Sequence, residues 1–223
     1  MIKYFEGTVF NTNADAIVNT VNCDGFMGAG LALEFALRYP NMLIDYQNKC
    51  NNSIIKVGKI DYYIDNEIKI INFPTKSNFK FPSHIKWIED GLIDFVNSYK
   101  EYNIKSVAFP KLGCSNGGLN WEEVNILMEH YLSALDIDVF ICLDTLKEAQ
   151  GKEKEMLDYF NQISLHVLSQ NIKLNQKQLD LIDQKRPISR FWKISKISSI
   201  GSTTYKNLFG YFYNTKVQQM QLF

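Results

Sequence analysis

Apolar residues recur at two different spacings along the chain. Through the first 145 residues or so, short runs of β-branched and aromatic residues alternate with stretches in which apolar positions return every three or four residues. These are the signatures of strands and amphipathic helices. Residues 2–6 and 16–20 read as strands. After a glycine-rich stretch, 31–38 reads as a helix ended by Pro40. Residues 60–64 and 68–72 read as a hairpin about Asp65-Asn66, with Phe73-Pro74-Thr75-Lys76 leaving the second strand for a loop. Ser83 is placed as the N-cap of a helix over 83–99, whose apolar face is Ile85, Ile88, Leu92, Phe95 and Val96. A buried strand over 106–110 runs into a second glycine-rich loop, a helix follows over 120–132, and 138–143 is an apolar closing strand. Such alternation predicts an α/β layered domain.

After Leu146 the texture changes. Residues 147–166 read as a polar amphipathic helix, and the remainder is rich in Lys, Gln, Asn and Ser with scattered aromatics. The expected division is 1–146 as the α/β domain and 147–223 as a small, mainly helical or winged-helix-like module. Charge follows the same split. The chain holds 24 basic and 24 acidic side chains, but residues 1–150 carry 13 against 19 and residues 151–223 carry 11 against 5. A neutral total therefore conceals −6 on one part and +6 on the other. From Lys173 on, nine Lys or Arg face two Asp or Glu, interleaved with Phe191, Trp192, Tyr205, Phe209, Tyr211, Phe212 and Tyr213. That mixture suits phosphates and stacked bases, and equally a helical module with an aromatic core and solvated lysines; docking to a partner protein is a third use.

The composition, 46% hydrophobic and 22% charged, excludes disorder and fibrous classes. The opening residues lack a signal-peptide core and no apolar run is long enough for a bilayer, so a soluble, cytoplasmic protein is expected with no membrane partner. Cys23, Cys50, Cys114 and Cys142 are spaced neither for zinc nor for a disulfide scaffold. No metal site and no cofactor are expected.

Chemistry concentrates in the two glycine loops, one with Gly25, Gly28 and Gly30, the other with Gly113, Gly117 and Gly118. Each follows an apolar strand and precedes a helix. Glycine lets backbone N–H groups approach an anion closely, so the pair reads as a diphosphate cradle; tight turns alone are the plainer alternative. The first loop lacks Gly-x-Gly-x-x-Gly and the second lacks Gly-Lys-Ser/Thr, which disfavours a dinucleotide dehydrogenase or a P-loop enzyme.

The order Ala16-Ile17-Val18-Asn19-Thr20-Val21-Asn22, Gly25-Phe26-Met27-Gly28-Ala29-Gly30, Asn72-Phe73-Pro74-Thr75-Lys76, Phe109-Pro110-Lys111-Leu112-Gly113-Cys114 and Gly117-Gly118-Leu119-Asn120-Trp121 resembles the signature of macrodomains, which bind ADP-ribose. Within them it is similar to the branch holding the bacterial DarG antitoxins and human terminal ADP-ribose protein glycohydrolase. The resemblance spans about residues 1–145 and implies a three-layer α/β/α fold with a mixed central sheet.

It also implies roles. Asn22 would meet the distal ribose, Met27, Gly28, Ala29 and Gly30 would lie over that ribose and the diphosphate, and Gly113, Cys114, Ser115, Asn116, Gly117 and Gly118 would hold the diphosphate from the other side. Turn-capping is the plainer use of Asn22. Lys76, following Thr75, would be the catalytic residue, attacking or stabilising the anomeric carbon; a desolvated lysine can present a free amine for an imine-like adduct. A solvated or phosphate-pairing lysine is the alternative. Adenine would fall to Thr8 and the Val9 backbone, although many macrodomains have Asp where this chain has Thr8. The human enzyme's catalytic aspartate in the second loop corresponds here to Gly117. This departure points toward the DarG side of the branch, hence to removal of ADP-ribose from ADP-ribosylated DNA, with a cognate ADP-ribosyltransferase toxin as partner. Hydrolysis of ADP-ribose esters on protein Glu or Asp, and non-catalytic reading of ADP-ribose, are the alternatives. Phe26, Phe79, Phe81, Trp121 and Phe140 lie near these loops; Phe79-Lys80-Phe81 is the group best suited to a nucleic-acid strand.

Overall fold

The computed structural model describes residues 1–65 and 68–215. Asn66 of the expected hairpin turn and residues 216–223 of the tail lie outside the described residues. The chain divides into two compact units, Met1–Thr145 and Leu146–Phe223.

The first unit is built on a six-stranded sheet. Its strands are β1 Ile2–Phe5, β2 Ala16–Asn22, β3 Asp61–Ile64, β4 Lys69–Lys76, β5 Ser106–Pro110 and β6 Asp138–Cys142. They lie in the order β1-β6-β5-β2-β4-β3. β3 pairs antiparallel with β4 and every other neighbouring pair is parallel, giving the mixed sheet implied by the resemblance. The helices of this unit are α1 Gly30–Arg38, α2 Pro40–Asn51, α3 Ile85–Ser98 and α4 Trp121–Leu132.

Strand alternation sorts the core into two layers. On one face Val18, Ile71, Phe73, Val107, Phe109 and Val139 pack with Ile88, Leu92 and Phe95 of α3 and Val124 and Met128 of α4. On the other, Ile17, Val21, Ile70 and Ala108 pack with Phe35 and Ala36 of α1 and Met42 and Tyr46 of α2. Helices therefore cover both faces of a largely parallel sheet, as its buried, mostly apolar central strands require.

Three local expectations are corrected. β4 does not end at Asn72 but runs on to Lys76, pairing with β2 throughout; the register slips between Val21 and Asn22, opposite Pro74 and Lys76. Proline lacks a ladder donor, and this irregularity accommodates it within a strand. Pro40 does not merely stop a helix. It opens α2, where its fixed φ and missing N–H suit a first helical turn. The N-cap of α3 is His84, not Ser83.

In the second unit the described elements are all helical: α5 Gly151–Gln162, α6 Leu165–Asn171, α7 Gln176–Lys185, a 3₁₀ turn Phe191–Lys196 and α8 Ser202–Asn214. The single helix expected over 147–166 is thus replaced by α5 and α6, because Ser164 caps a new helix by accepting from the Val167 N–H at 3.3 Å. No strand that could form a wing occurs among its described residues. Phe160, Phe191, Phe209 and Phe212 are all buried, so the aromatics of the basic tail mainly build a core. Trp192 is exposed. Arg190 is buried and fastens the unit through Glu153, with Nε 3.1 Å from both carboxylate oxygens. No helix among the described residues is long and apolar enough to cross a membrane.

Candidate functional site

The parallel strands end together along one edge of the sheet, and the connections from adjacent β5 and β2 diverge there. β2 leads toward β4 on one side, β5 toward β6 on the other. Ligands of open α/β sheets bind in the crevice outside such a switch point. The two glycine loops flank it: the first connects β2 to α1 and the second connects β5 to α4. They meet across the gap, where a Cβ built on Gly30 would lie 3.0 Å from the Asn116 amide nitrogen. Gly30 has a φ of +56°, a conformation glycine adopts without strain.

The donors in these loops are divided between shaping the turn and facing the gap. In the first loop Asn22 Oδ1 accepts from Asp24 N at 2.8 Å and Phe26 N at 3.4 Å, while its Nδ2 donates to Phe26 O at 2.6 Å. Tyr46 on α2 donates its hydroxyl to Asn22 O at 2.6 Å. The amide of Asn22 therefore caps the first loop, the plainer of the two uses expected for it. By contrast, the N–H groups of Met27, Gly28, Ala29 and Gly30, and of Ser115, Asn116, Gly117 and Gly118, have no hydrogen-bond partner among the described residues. α1 starts directly from the first loop with no acidic side chain in its first turn, so its positive end stays unneutralised and favours an anion. α4 differs, since Asn120 accepts from Glu122 N and Glu123 N and both glutamates occupy its first turn.

Lys76 is the register partner of Asn22 at the ends of β4 and β2. Its Nζ donates to Asn116 O at 2.7 Å and to Phe79 O at 3.2 Å. The amine thus sits where the second glycine loop and the loop after β4 come together. The other expected contributors are spread along the same edge. Thr75 is buried beside it with Oγ1 3.5 Å from Val21 O. Thr8 donates from both N and Oγ1 to Asn11 Oδ1, at 3.1 and 2.8 Å, and opens a 3₁₀ turn, Val9–Asn11, that packs on β2 and β5. Val9 is buried. Met27 is buried, with its sulfur 3.7 Å from Asn19 Nδ2. Cys114 is half-buried, and burial pushes its thiol up to about 11 against a smaller opposing effect of Lys111. It remains a thiol at neutral pH and offers no thiolate nucleophile. Trp121 and Phe140 pack against the two core layers. No group of three or more His, Cys, Asp or Glu able to hold a metal occurs among the described residues.

Two residues enter the site that sequence reasoning missed. Ser83, read as a helix cap, is only 5% exposed and its hydroxyl has no partner among the described residues. Its backbone N–H instead holds Gly117 O at 2.9 Å. A Cβ on Gly117 would lie 2.3 Å from both Ser83 Oγ and Gly113 O, so the second loop admits no side chain where the human enzyme's aspartate was expected. Asp24, within the first loop, accepts from Phe79 N at 2.9 Å. A carboxylate is an unexpected choice in an anion-binding loop, and that oddity was its only signal.

The solved macrodomain of Mycobacterium tuberculosis DarG superposes with a TM-score of 0.62 at 41% identity, over 64% of this chain and 97% of that one. The chain belongs to the macrodomain family. The Macro domain family model matches residues 18–128, from the middle of β2 into α4. Among relatives, a Mycobacterium tuberculosis protein named DNA ADP-ribosyl glycohydrolase is 42% identical over 146 residues, 63% of this chain and 42% of its own length. A solved Thermosipho africanus DarTG in complex with ADP-ribose aligns at 34% identity with a TM-score of 0.63, covering 67% of this chain and 43% of that one. A Thermosipho africanus relative, 34% identical over 179 residues, 70% of this chain and 46% of its own length, is named a DNA ADP-ribosyl transferase-DNA ADP-ribosyl glycohydrolase fusion protein. The chain spans about two fifths of the length of the M. tuberculosis relative. The residues that the family model matches all lie within the first unit.

Proposed function

We propose that this macrodomain is an ADP-ribosyl glycohydrolase that removes ADP-ribose from modified DNA bases, with Lys76 as its catalytic residue. The observation that carries the proposal is the position of the Lys76 amine. It is bonded to a carbonyl of the second glycine loop, and the two glycine loops together hold eight backbone donors with no partner among the described residues. In this reading the diphosphate lies between the two loops, held by N–H groups of Met27 to Gly30 and of Ser115 to Gly118, with adenine toward Thr8 and Val9. Asn22 and Thr75 frame the distal ribose. The lysine nitrogen lone pair attacks the anomeric carbon as the carbon–nitrogen bond to the base breaks; the base leaves with the bonding pair and takes up a proton. Water then hydrolyses the carbon–Nζ adduct, returning the amine and free ADP-ribose.

The names of the M. tuberculosis and Thermosipho relatives support a DNA substrate and an ADP-ribosyltransferase toxin as partner. The steric closure at Gly117 weighs against ester hydrolysis that depends on a second-loop aspartate. Four free thiols fit a reducing, cytoplasmic setting. The basic second unit supplies diffuse attraction for nucleic acid or a docking surface for the toxin.

The test is release of ADP-ribose from an ADP-ribosylated oligonucleotide by Lys76→Ala. Turnover is expected to fall by about three orders of magnitude or more, while calorimetry finds ADP-ribose affinity within about tenfold of wild type. Undiminished turnover removes the mechanism. Tight binding with no turnover by wild type on DNA or protein substrates leaves a reader of ADP-ribose.

A further inference from the structure

Beside Lys76 three solvent-exposed rings gather, Phe26 from the first glycine loop and Phe79 and Phe81 from the loop after β4. Phe26 is 53% exposed, Phe79 42% and Phe81 61%. Exposed large apolar side chains clustered at the mouth of a site mark a binding surface. The ring centroids of Phe26 and Phe79 are 4.9 Å apart with planes tilted by 45°, so the pair forms an open wedge rather than a closed stack. Lys80 Nζ lies 5.6 Å from the Phe79 centroid and makes no ion pair among the described residues, unlike Lys59 and Lys86 nearby. The backbone beneath is pinned. Phe79 N donates to Asp24 Oδ2, Lys80 N to Asn78 Oδ1 at 2.9 Å, and Phe81 N to Asn78 O at 3.2 Å. Ordering this loop on binding therefore costs little. The Phe79 carbonyl is itself a partner of the Lys76 amine, which places the rim against the atom proposed to attack the sugar.

We propose that Phe26, Phe79 and Phe81 with Lys80 form a strand-gripping rim, on which the nucleotides flanking the modified base in single-stranded DNA stack while Lys80 meets a phosphate. The inference rests on the activity proposed above and adds what holds the part of the substrate that departs. Solvent-exposed rings accept any base, and a cation with no ion pair among the described residues answers the backbone charge. An acidic peptide would find a single cation and three apolar rings, a poorer match. A duplex would keep its bases out of reach of the wedge.

The test compares two substrates with the full chain: an ADP-ribosylated single-stranded oligonucleotide and the corresponding ADP-ribosyl nucleoside. Phe81→Ala is expected to raise KM for the oligonucleotide about tenfold, within the range of one lost stacked base, and to leave the nucleoside unchanged. Phe81→Tyr restores the oligonucleotide value. Lys80→Ala flattens the dependence of log KM on log salt by about 0.7, the single-strand value for one phosphate. Equal losses on both substrates, or no loss on the oligonucleotide, overturn the rim while the activity stands. Wild-type protein that cleaves neither substrate overturns the activity and the rim together.

Discussion

Gly117 is where the largest effect of a small change is expected. In Gly117→Asp the new Cβ is placed 2.3 Å from Gly113 O, 2.3 Å from Ser83 Oγ and 2.9 Å from Gly113 C. Carbon and oxygen normally approach no closer than about 3.3 Å, so the overlap is about 1 Å in two directions. Neither neighbour yields freely. Gly113 O accepts from Leu119 N at 3.1 Å, and Ser83 is tied by its own N–H to Gly117 O. Overpacking of this kind costs about 1–3 kcal/mol, and the overlap with the Gly113 backbone carbonyl puts it at the upper end. For a unit of this size, about 3 kcal/mol lowers Tm by roughly 10 °C. The same displacement misaligns the N–H groups of residues 115–118, so the upward shift of Tm on adding ADP-ribose shrinks too. Thermal unfolding with and without ADP-ribose reads both effects. Gly117→Ala with Ser83→Ala, which removes one of the two overlaps, recovers part of the loss of Gly117→Ala alone. A Gly117→Asp protein that melts with wild type and is shifted equally by ADP-ribose refutes the reasoning, and with it the exclusion of an aspartate-assisted mechanism.

Two further expectations follow from hydrogen bonds elsewhere in the first unit. Asp24 and Lys76 are linked through the backbone of Phe79, whose N–H donates to the carboxylate and whose carbonyl accepts from the lysine. Asp24→Asn keeps an acceptor oxygen and stays within about threefold of wild-type kcat, whereas Asp24→Ala loses about tenfold with ADP-ribose affinity unchanged; equal loss in both variants makes Asp24 an acid or base instead. Asp15 gathers the starts of three strands, accepting from Lys69 Nζ and Lys105 N, both at 2.9 Å. Burial raises its carboxyl, but these two donors outweigh burial and hold it below the ordinary value. Its contribution to stability is therefore present above about pH 4, the unfolded value, and is lost as pH falls through the lower folded value. Urea midpoints measured from pH 6 to pH 3 are expected to fall more steeply for wild type than for Asp15→Asn, and parallel curves would remove Asp15 from the acid response.

Periodicity marked the strands well because the central ones are buried on both faces and are mostly Val, Ile, Ala and Phe, interrupted by the buried amides Asn19 and Asn72. It failed where one residue type serves two structural purposes. Pro74 read as a strand end, yet a slipped register tolerates it; Pro40 read as a stop, yet it starts α2. Ser83 had the composition of a cap, and only tertiary placement shows its N–H spent on Gly117. The site was legible in its glycines, since only they combine bare backbone with close loop approach. The partners of Lys76 were not, because Asn116 O and Phe79 O are carbonyls, which every residue possesses. Side-chain pattern carries no trace of them.

The segregation of charge determines how such a site can hold an anion. The first unit carries most of the excess of acidic side chains, 19 against 13 basic over residues 1–150, so a general positive field is absent where a diphosphate would lie. Backbone donors replace it. Peptide N–H groups and the start of α1 offer partial positive charge fixed in direction, with no countercharge to desolvate and no long side chain to order. Lys69, Lys49 and Lys59 are each committed to carboxylates, whereas Lys76 is bonded to two carbonyls at the point of chemistry and Lys80 makes no ion pair among the described residues. ADP-ribose held by fixed donors at short range is weakly sensitive to salt. A strand held through Lys80 is more sensitive. Ionic strength thus separates recognition of the modification from recognition of the polymer that carries it.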